Sequence, residues 1–185
     1  MSGQTFKFVH AADIHLDSPL RGLDRYEGAP TEEIRGATRK SLVRLIDLCR
    51  QEEVQFLVLS GDLYDGNWKD YNSGLFFASQ INRLREINCR VFTIRGNHDA
   101  MSTITKHLKW PYHVQVLASK KPETIIVEKL GLAVHGQSFD QRAETEDLTL
   151  KYPKAIPGLF NLGMLHTSLT GREGHASYAP CKTEA

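Results

Sequence analysis

The run at residues 54–60, VQFLVLS, has no polar face. A half-buried strand alternates, so a run this continuous belongs to a strand covered on both sides. Residues Phe6–Ala12 and Cys89–Arg95 read as two further strands. Between the first and second of these, residues 31–53 carry Ile34, Thr38, Leu42, Leu45, Leu48 and Cys49 at helical spacing, with Thr31 placed as an N-cap. Between the second and third, residues 72–88 carry Leu75, Phe76, Ser79, Ile81, Leu84 and Ile87 in the same way. This β-α-β-α-β order predicts a parallel sheet with right-handed crossovers.

The pattern changes after residue 110. His113–Ala118, Glu123–Glu128 and Leu132–His135 read as short strands, expected to be antiparallel, the last two joined by the turn-like EKLG at 128–131. A later apolar run, Leu159–Leu165, ends in His166, and Thr167–Ala185 reads as loop. With 41% hydrophobic residues, the 185-residue chain can bury one core. A net charge of +1 excludes a broadly basic surface, so any nucleic-acid contact must be a local patch. Cys49, Cys89 and Cys181 are too scattered for a disulfide framework or a structural zinc site. The N-terminal stretch has no signal-peptide pattern, and no apolar run approaches the ~20 residues of a membrane span. A cytoplasmic setting without membrane attachment is expected.

The strand ends carry the chemistry. They deliver Asp13-Ile14-His15, Gly61-Asp62, Gly96-Asn97-His98-Asp99 and His166. Turn propensity explains any one such cluster. Four of them at the carboxyl edge of a parallel sheet, where ligand sites form, gather oxygen and imidazole donors near one point. Such a set suits Mn, Fe, Zn or Mg. Asp13 and His15, one residue apart, are expected to share a direction through strand alternation. Asp62 is placed to bridge two cations ~3.5–4 Å apart. His98 is better placed for substrate than for metal, with Asp99 expected to hold its ring.

DxH, GDxxD (Gly61-Asp62-Leu63-Tyr64-Asp65), GNHD and a lone strand-end His together resemble the calcineurin-like metallophosphoesterases. The flanking HAADIHLDSPL and HTSLTGREGHASYAPC are similar to the SbcD-type DNA-repair nucleases, in particular their bacterial YhaO-like branch. The resemblance spans the chain. It implies an α/β fold built as a β-sandwich flanked by helices, two divalent metals (usually Mn²⁺) and phosphodiester hydrolysis at DNA ends. It also implies Asp13 and His15 on the first metal, Asp62 bridging, Asn97 and His166 on the second, and His98 at the scissile phosphate. An ATPase partner of the SbcC type is implied for the full-length protein.

The family's Gly-His-x-His motif, which supplies one more ligand to each metal, has no counterpart here. Gly174-His175-Ala176-Ser177 lies nine residues past His166 and has Ser177 in place of the second His. The expectation is therefore one incomplete metallophosphoesterase domain over residues 1–185, truncated at its C-terminus, with His135 or His175 as possible substitute ligands. Asp65, His10 and His135 read as structural, and His107 and His113 as surface or loop residues. Arg35, Arg39, Lys40 and Arg44 read as a solvated helix face, and Trp68, Tyr71 and Trp110 as packing residues near the site edge. The competing functions are an enzyme on small phosphate esters or nucleotides, and a metal-poor domain without activity.

Overall fold

The computed structural model describes residues 5–18, 31–65, 71–101, 110–169 and 178–182. Trp68, His107, Gly174, His175 and Ser177 lie outside the described residues. Among the described residues, seven strands form two sheets. The first has β1 (Phe8–Ala11), β2 (Phe56–Ser60), β3 (Arg90–Ile94) and β4 (Val114–Val116) in that order, all parallel. Helix α1 (Thr31–Gln51) joins β1 to β2, and α2 (Tyr71–Asn82), extended by a 3-10 turn at Arg83–Ile87, joins β2 to β3.

The second sheet has β5 (Glu123–Val127), β6 (Leu132–Gly136) and β7 (Phe160–Met164). β5 and β6 pair antiparallel across the 128–131 turn, where Gly131 takes φ 58°, while β7 runs parallel to β6. The expectation that the strands after residue 110 are antiparallel thus holds only for the β5–β6 hairpin. β4 joins the first sheet as a fourth parallel strand, because Val91, Phe92 and Thr93 of β3 offer it an open edge.

The apolar run of β2 is buried throughout, and alternation sorts it into two cores. Leu57 and Leu59 pack with Leu42, Ile46, Phe77, Ile81 and Val91 beneath the helices. Phe56 and Val58 pack with Phe92, Ile94, Leu132, Val134 and Met164 between the sheets. The result is a mixed α/β sandwich flanked by helices. Leu48 and Leu75, assigned to the helical stripes from spacing, face solvent instead; Leu75 is 67% exposed. Among the described residues no helix is long and apolar enough to cross a membrane.

Candidate metal and phosphate site

The loops after β1 and β2 run side by side and prolong the parallel pairing. Backbone N–H groups of Asp13, His15 and Leu16 donate to the carbonyls of Gly61, Asp62 and Leu63 at 3.1, 3.0 and 2.8 Å. Asp13, His15, Asp17 and Asp62 all take left-handed backbone, with φ of 53°, 44°, 55° and 53°. That region is sparse for residues other than glycine, and strain of this kind collects at functional sites. Strand alternation is therefore not what aligns Asp13 with His15. β1 ends at Ala11, and it is the repeated left-handed turn that brings the two side chains together.

Two glycines permit the loops to meet. Gly61 has φ 94°, and a Cβ there would lie 2.8 Å from Nδ1 of His166 and 2.9 Å from the Gly96 nitrogen. A Cβ on Gly96 would collide with the Asp62 carboxylate. The Asp17 carboxylate anchors the first loop to both helices. Arg39 grips it at 2.6–2.9 Å, Ser73 Oγ donates to it at 2.6 Å, and the Asp17 N–H donates to Thr38 Oγ1. Burial works against the charge on Asp17, but Arg39 and Ser73 outweigh it and hold the carboxyl below its usual range. Arg39 is thus committed to this loop rather than to a solvated helix face.

One cluster gathers Asp13, Asp62 and His166, with donor atoms all within 4.8 Å of one another. Asp62 is 3% exposed and His166 5%. The Asp62 Oδ1 accepts the His98 backbone N–H at 2.9 Å, and its Oδ2 lies 3.4 Å from His166 Nε2. Nε2 is also 3.0 Å from Asn97 Oδ1, while Nδ1 donates to the Ser60 carbonyl at 2.9 Å. Burial opposes both charges, yet the mutual hydrogen bond and attraction lower the Asp62 pKa and raise that of His166. A proton on Nε2 facing two oxygen acceptors occupies the kind of place a cation would take. With Nδ1 fixed by the Ser60 carbonyl, loss of that proton leaves a lone pair aimed at the same spot. The donor set fits a hard or borderline divalent ion.

The second cluster is His15, Asp65 and His98. Asp65 Oδ1 lies 2.8 Å from Nδ1 of both histidines, and Asp65 Oδ2 accepts from Ser18 Oγ. Burial opposes its charge, but the Ser18 and His15 hydrogen bonds and the two rings hold its pKa down. Three hydrogen-bond donors already converge on this carboxylate, so we read it as a hub that orients rings rather than as a cation site. It turns His15 Nε2 toward Asp13 Oδ1, 3.9 Å away. It also leaves His98 Nε2 without a hydrogen bond among the described residues, the two imidazoles meeting edge to face.

The structure thus brings together Asp13, Asp62, Asn97 and His166, with His15 alongside. The expectation that Asp99 holds the His98 ring fails. Asp99 is 1% exposed and accepts the backbone N–H groups of Leu63, Tyr64 and Gly96 at 3.0–3.2 Å, binding the two motif loops to each other. Burial, with the charge of Asp62, pushes its carboxyl up to about 6. Asp65 holds His98 instead, because the fold carries GDxxD across to it. His135 is a strand tie in the second sheet, with Nδ1 on Thr124 Oγ1 and Nε2 on Asn161 Oδ1. Ile156 N–H also donates to that Oδ1 and the Asn161 amide donates to two carbonyls, so His135 carries its proton on Nε2 and has no lone pair to spare. His10 bonds Ser60 Oγ.

The sequence pattern of the calcineurin-like phosphoesterases matches residues 6–180. The chain belongs to this family. It is also similar to the protein described as uncharacterized metallophosphoesterase YhaO of Bacillus subtilis (strain 168), with 36% identity over 176 residues. That match covers 94% of this chain but 43% of YhaO, so the chain spans less than half the length of this relative. Calcineurin-like phosphoesterases generally use divalent metals, in keeping with the Asp13, Asp62 and His166 cluster.

Sequence reasoning missed three contributors. Asp17 follows Asp13 and His15 at the same spacing, a signal that was available. Phe139 and Tyr178 carried none. Phe139 meets the His166 ring edge-on at 5.7 Å, and Tyr178 stacks on it with centroids 5.3 Å and planes 16° apart. Burial and the charges of Asp13 and Asp62 raise the Tyr178 phenol.

Proposed function

We propose that this chain carries the catalytic site of a metal-dependent phosphodiesterase that hydrolyses DNA at its ends. The observation that carries the reading is the pairing of buried Asp62 and His166, with Asn97 beside them, and an imidazole, His98, whose Nε2 has no hydrogen bond among the described residues. Asp13, His15, Asp62, Asn97 and His166 would hold divalent ions, with Mn²⁺ the first choice and Fe, Zn or Mg compatible with the same donors. Such ions supply charge neutralisation at a phosphate.

The chain's own residues supply the rest. Asp65 holds a proton on His98 Nδ1, so the ring offers Nε2 to substrate. In its imidazolium form the ring also carries a proton on Nε2, which can pass to the leaving oxygen and leave the ring neutral with Nδ1–H still on Asp65, a contribution worth ~10²–10⁴-fold in rate. The left-handed turns at Asp13, His15 and Asp62 preorganise the donors. The similarity to SbcD-type nucleases favours DNA, and so does the open wall of the site. Asp13 is 58% exposed at its side chain and His98 33%, which suits a polymer more than an enclosed small molecule. An SbcC-type ATPase partner belongs to the same proposal and rests on that similarity alone.

The test compares linear DNA with a nitrophenyl phosphodiester, each with Mn²⁺ and with EDTA. Metal-dependent shortening of DNA from its ends is expected. Cleavage of the small ester alone would replace the DNA reading with a small-ester one, and cleavage of neither would overturn the proposed activity.

A further inference from the structure

We infer that Tyr178 is a positioning residue for His166, its ring fixing the plane in which the imidazole presents Nε2 to Asp62 and Asn97. The inference rests on the reading of His166 as a metal ligand. His166 has polar anchors at both ring nitrogens, Ser60 O at Nδ1 and Asn97 Oδ1 with Asp62 Oδ2 at Nε2. These contacts lie toward the ring edge and leave the imidazole some freedom to rock about its bond to Cβ. A contact on the ring face removes that freedom, and Tyr178 makes one, nearly parallel at 16°. Phe139 stands edge-on to both rings, at 5.7 Å from His166 and 6.4 Å from Tyr178, and closes the corner between them.

The backbone around Tyr178 is held firmly for a segment outside regular structure. Its carbonyl accepts the Ser168 N–H at 2.8 Å. The next residue, Ala179, donates to the Glu144 carbonyl at 2.6 Å and accepts from Thr167 Oγ1 at 2.7 Å. Ala179 is fully buried and takes φ 37°, directly before Pro180. Alanine in left-handed backbone is strained, and a following proline restricts it further. Strain of this kind persists only where the surroundings over-determine it, and it is a pointer toward function. Thr167 and Ser168, which hold this turn, directly follow His166. The turn is therefore tied to the backbone that carries the imidazole, while its tyrosine ring covers the imidazole face.

The stacking surface, not the phenol oxygen, is the working part, so phenylalanine should substitute and leucine should not. The full chain is studied in EDTA by NMR of the His166 imidazole, then titrated with Mn²⁺ by calorimetry, with melting temperatures recorded. Tyr178→Phe is expected to keep the ring-current displacement of the His166 carbon-bound protons, slow exchange at Nδ1–H, and Mn²⁺ affinity close to that of the unaltered chain. Tyr178→Leu is expected to lose the displacement, speed the exchange and weaken Mn²⁺ binding ~10–100-fold, the usual effect of losing a partner that orients a ligand. An unchanged Tyr178→Leu variant would overturn the proposal, as would a Tyr178→Phe variant that loses as much as leucine. If the unaltered chain binds no Mn²⁺, the metal-site reading fails, and the imidazole spectra alone decide whether Tyr178 positions the ring. If Tyr178→Leu does not fold while Tyr178→Phe does, Tyr178→Met carries the same test; if that also fails to fold, the ring is part of the core and the proposal falls.

Discussion

The Nδ1 of His98 lies 2.8 Å from Oδ1 of Asp65, a carboxylate thirty-three positions upstream, and the same oxygen meets Nδ1 of His15. One carboxylate thus sets the orientation of a candidate ligand and a candidate proton donor together. Asp65→Asn removes the charge while nearly keeping the shape. It is expected to lower turnover ~10–100-fold, as loss of an orienting partner does, with most of the bound metal retained. Steady-state rates beside elemental analysis check this. Unchanged turnover would reassign Asp65 to a purely structural part.

Asp62 sits where the two motif loops cross, its Oδ1 on the His98 N–H and its Oδ2 toward His166. As the bridging carboxylate of the proposed site, it would serve both ions. Asp62→Ala is expected to reduce bound metal more than alanine at Asp13, His15, Asn97 or His166. Elemental analysis of the five variants ranks them. Full stoichiometry in Asp62→Ala would remove the bridging role.

Gly96 faces the Asp62 carboxylate so closely that a methyl group cannot fit without moving it. Overpacking of this kind costs about 1–3 kcal/mol. Gly96→Ala is expected to lower stability by that amount and to weaken metal binding with it, whereas Gly36→Ala, which has open space around it, is expected to affect metal binding little. Denaturant titration of both variants separates the effects. Equal behaviour at the two positions would show that the loop contact is not tight.

What could be read in the sequence, and what could not, follows one physical division. Asp13, Asp62 and Asn97 were legible because strand ends in a parallel sheet converge, so order along the chain predicts proximity. His166 was legible as a strand-end histidine, but its strand, β7, lies in the second sheet and brings it to Asn97 from across the sandwich. Partners fixed by long-range contact were not. Adjacency favoured Asp99 as the holder of His98, but burial turned Asp99 inward to three backbone N–H groups and left the ring to Asp65. β4 has three residues, too few to show a period, and its parallel pairing depends on a free edge of β3 that no local pattern announces. Tyr178 lies in a stretch that spacing marks as loop, and its packing on His166 arises from a left-handed alanine that propensity argues against.

The same buried groups give the metal-free protein a definite pH dependence. Asp99, pushed from 3.8 up to about 6 by burial and by Asp62, is a raised group. Its contribution is fully present below 3.8 and is lost as pH rises to about 6, a change of about 3 kcal/mol at 1.36 kcal/mol for each pH unit. His166 is raised as well, because Asp62 outweighs burial, so its contribution is present below 6.5 and fades as pH climbs through its folded value. Asp17, Asp62 and Asp65 are lowered, and theirs appear above 3.8 and vanish in stronger acid. His113, lowered by burial, works the other way and gains stability as pH rises to 6.5, offsetting part of the Asp99 loss. The Asp99 and His166 contributions in EDTA are therefore expected to be lost in two stages, the first up to about 6 and the second above 6.5. Urea unfolding across that range, repeated with Asp99→Asn, checks the assignment. The variant is less stable overall, since an amide cannot serve three N–H donors as a carboxyl group does, but its first stage is expected to flatten while the second remains. A first stage with the same slope in both proteins would show that Asp99 is not the group that titrates there.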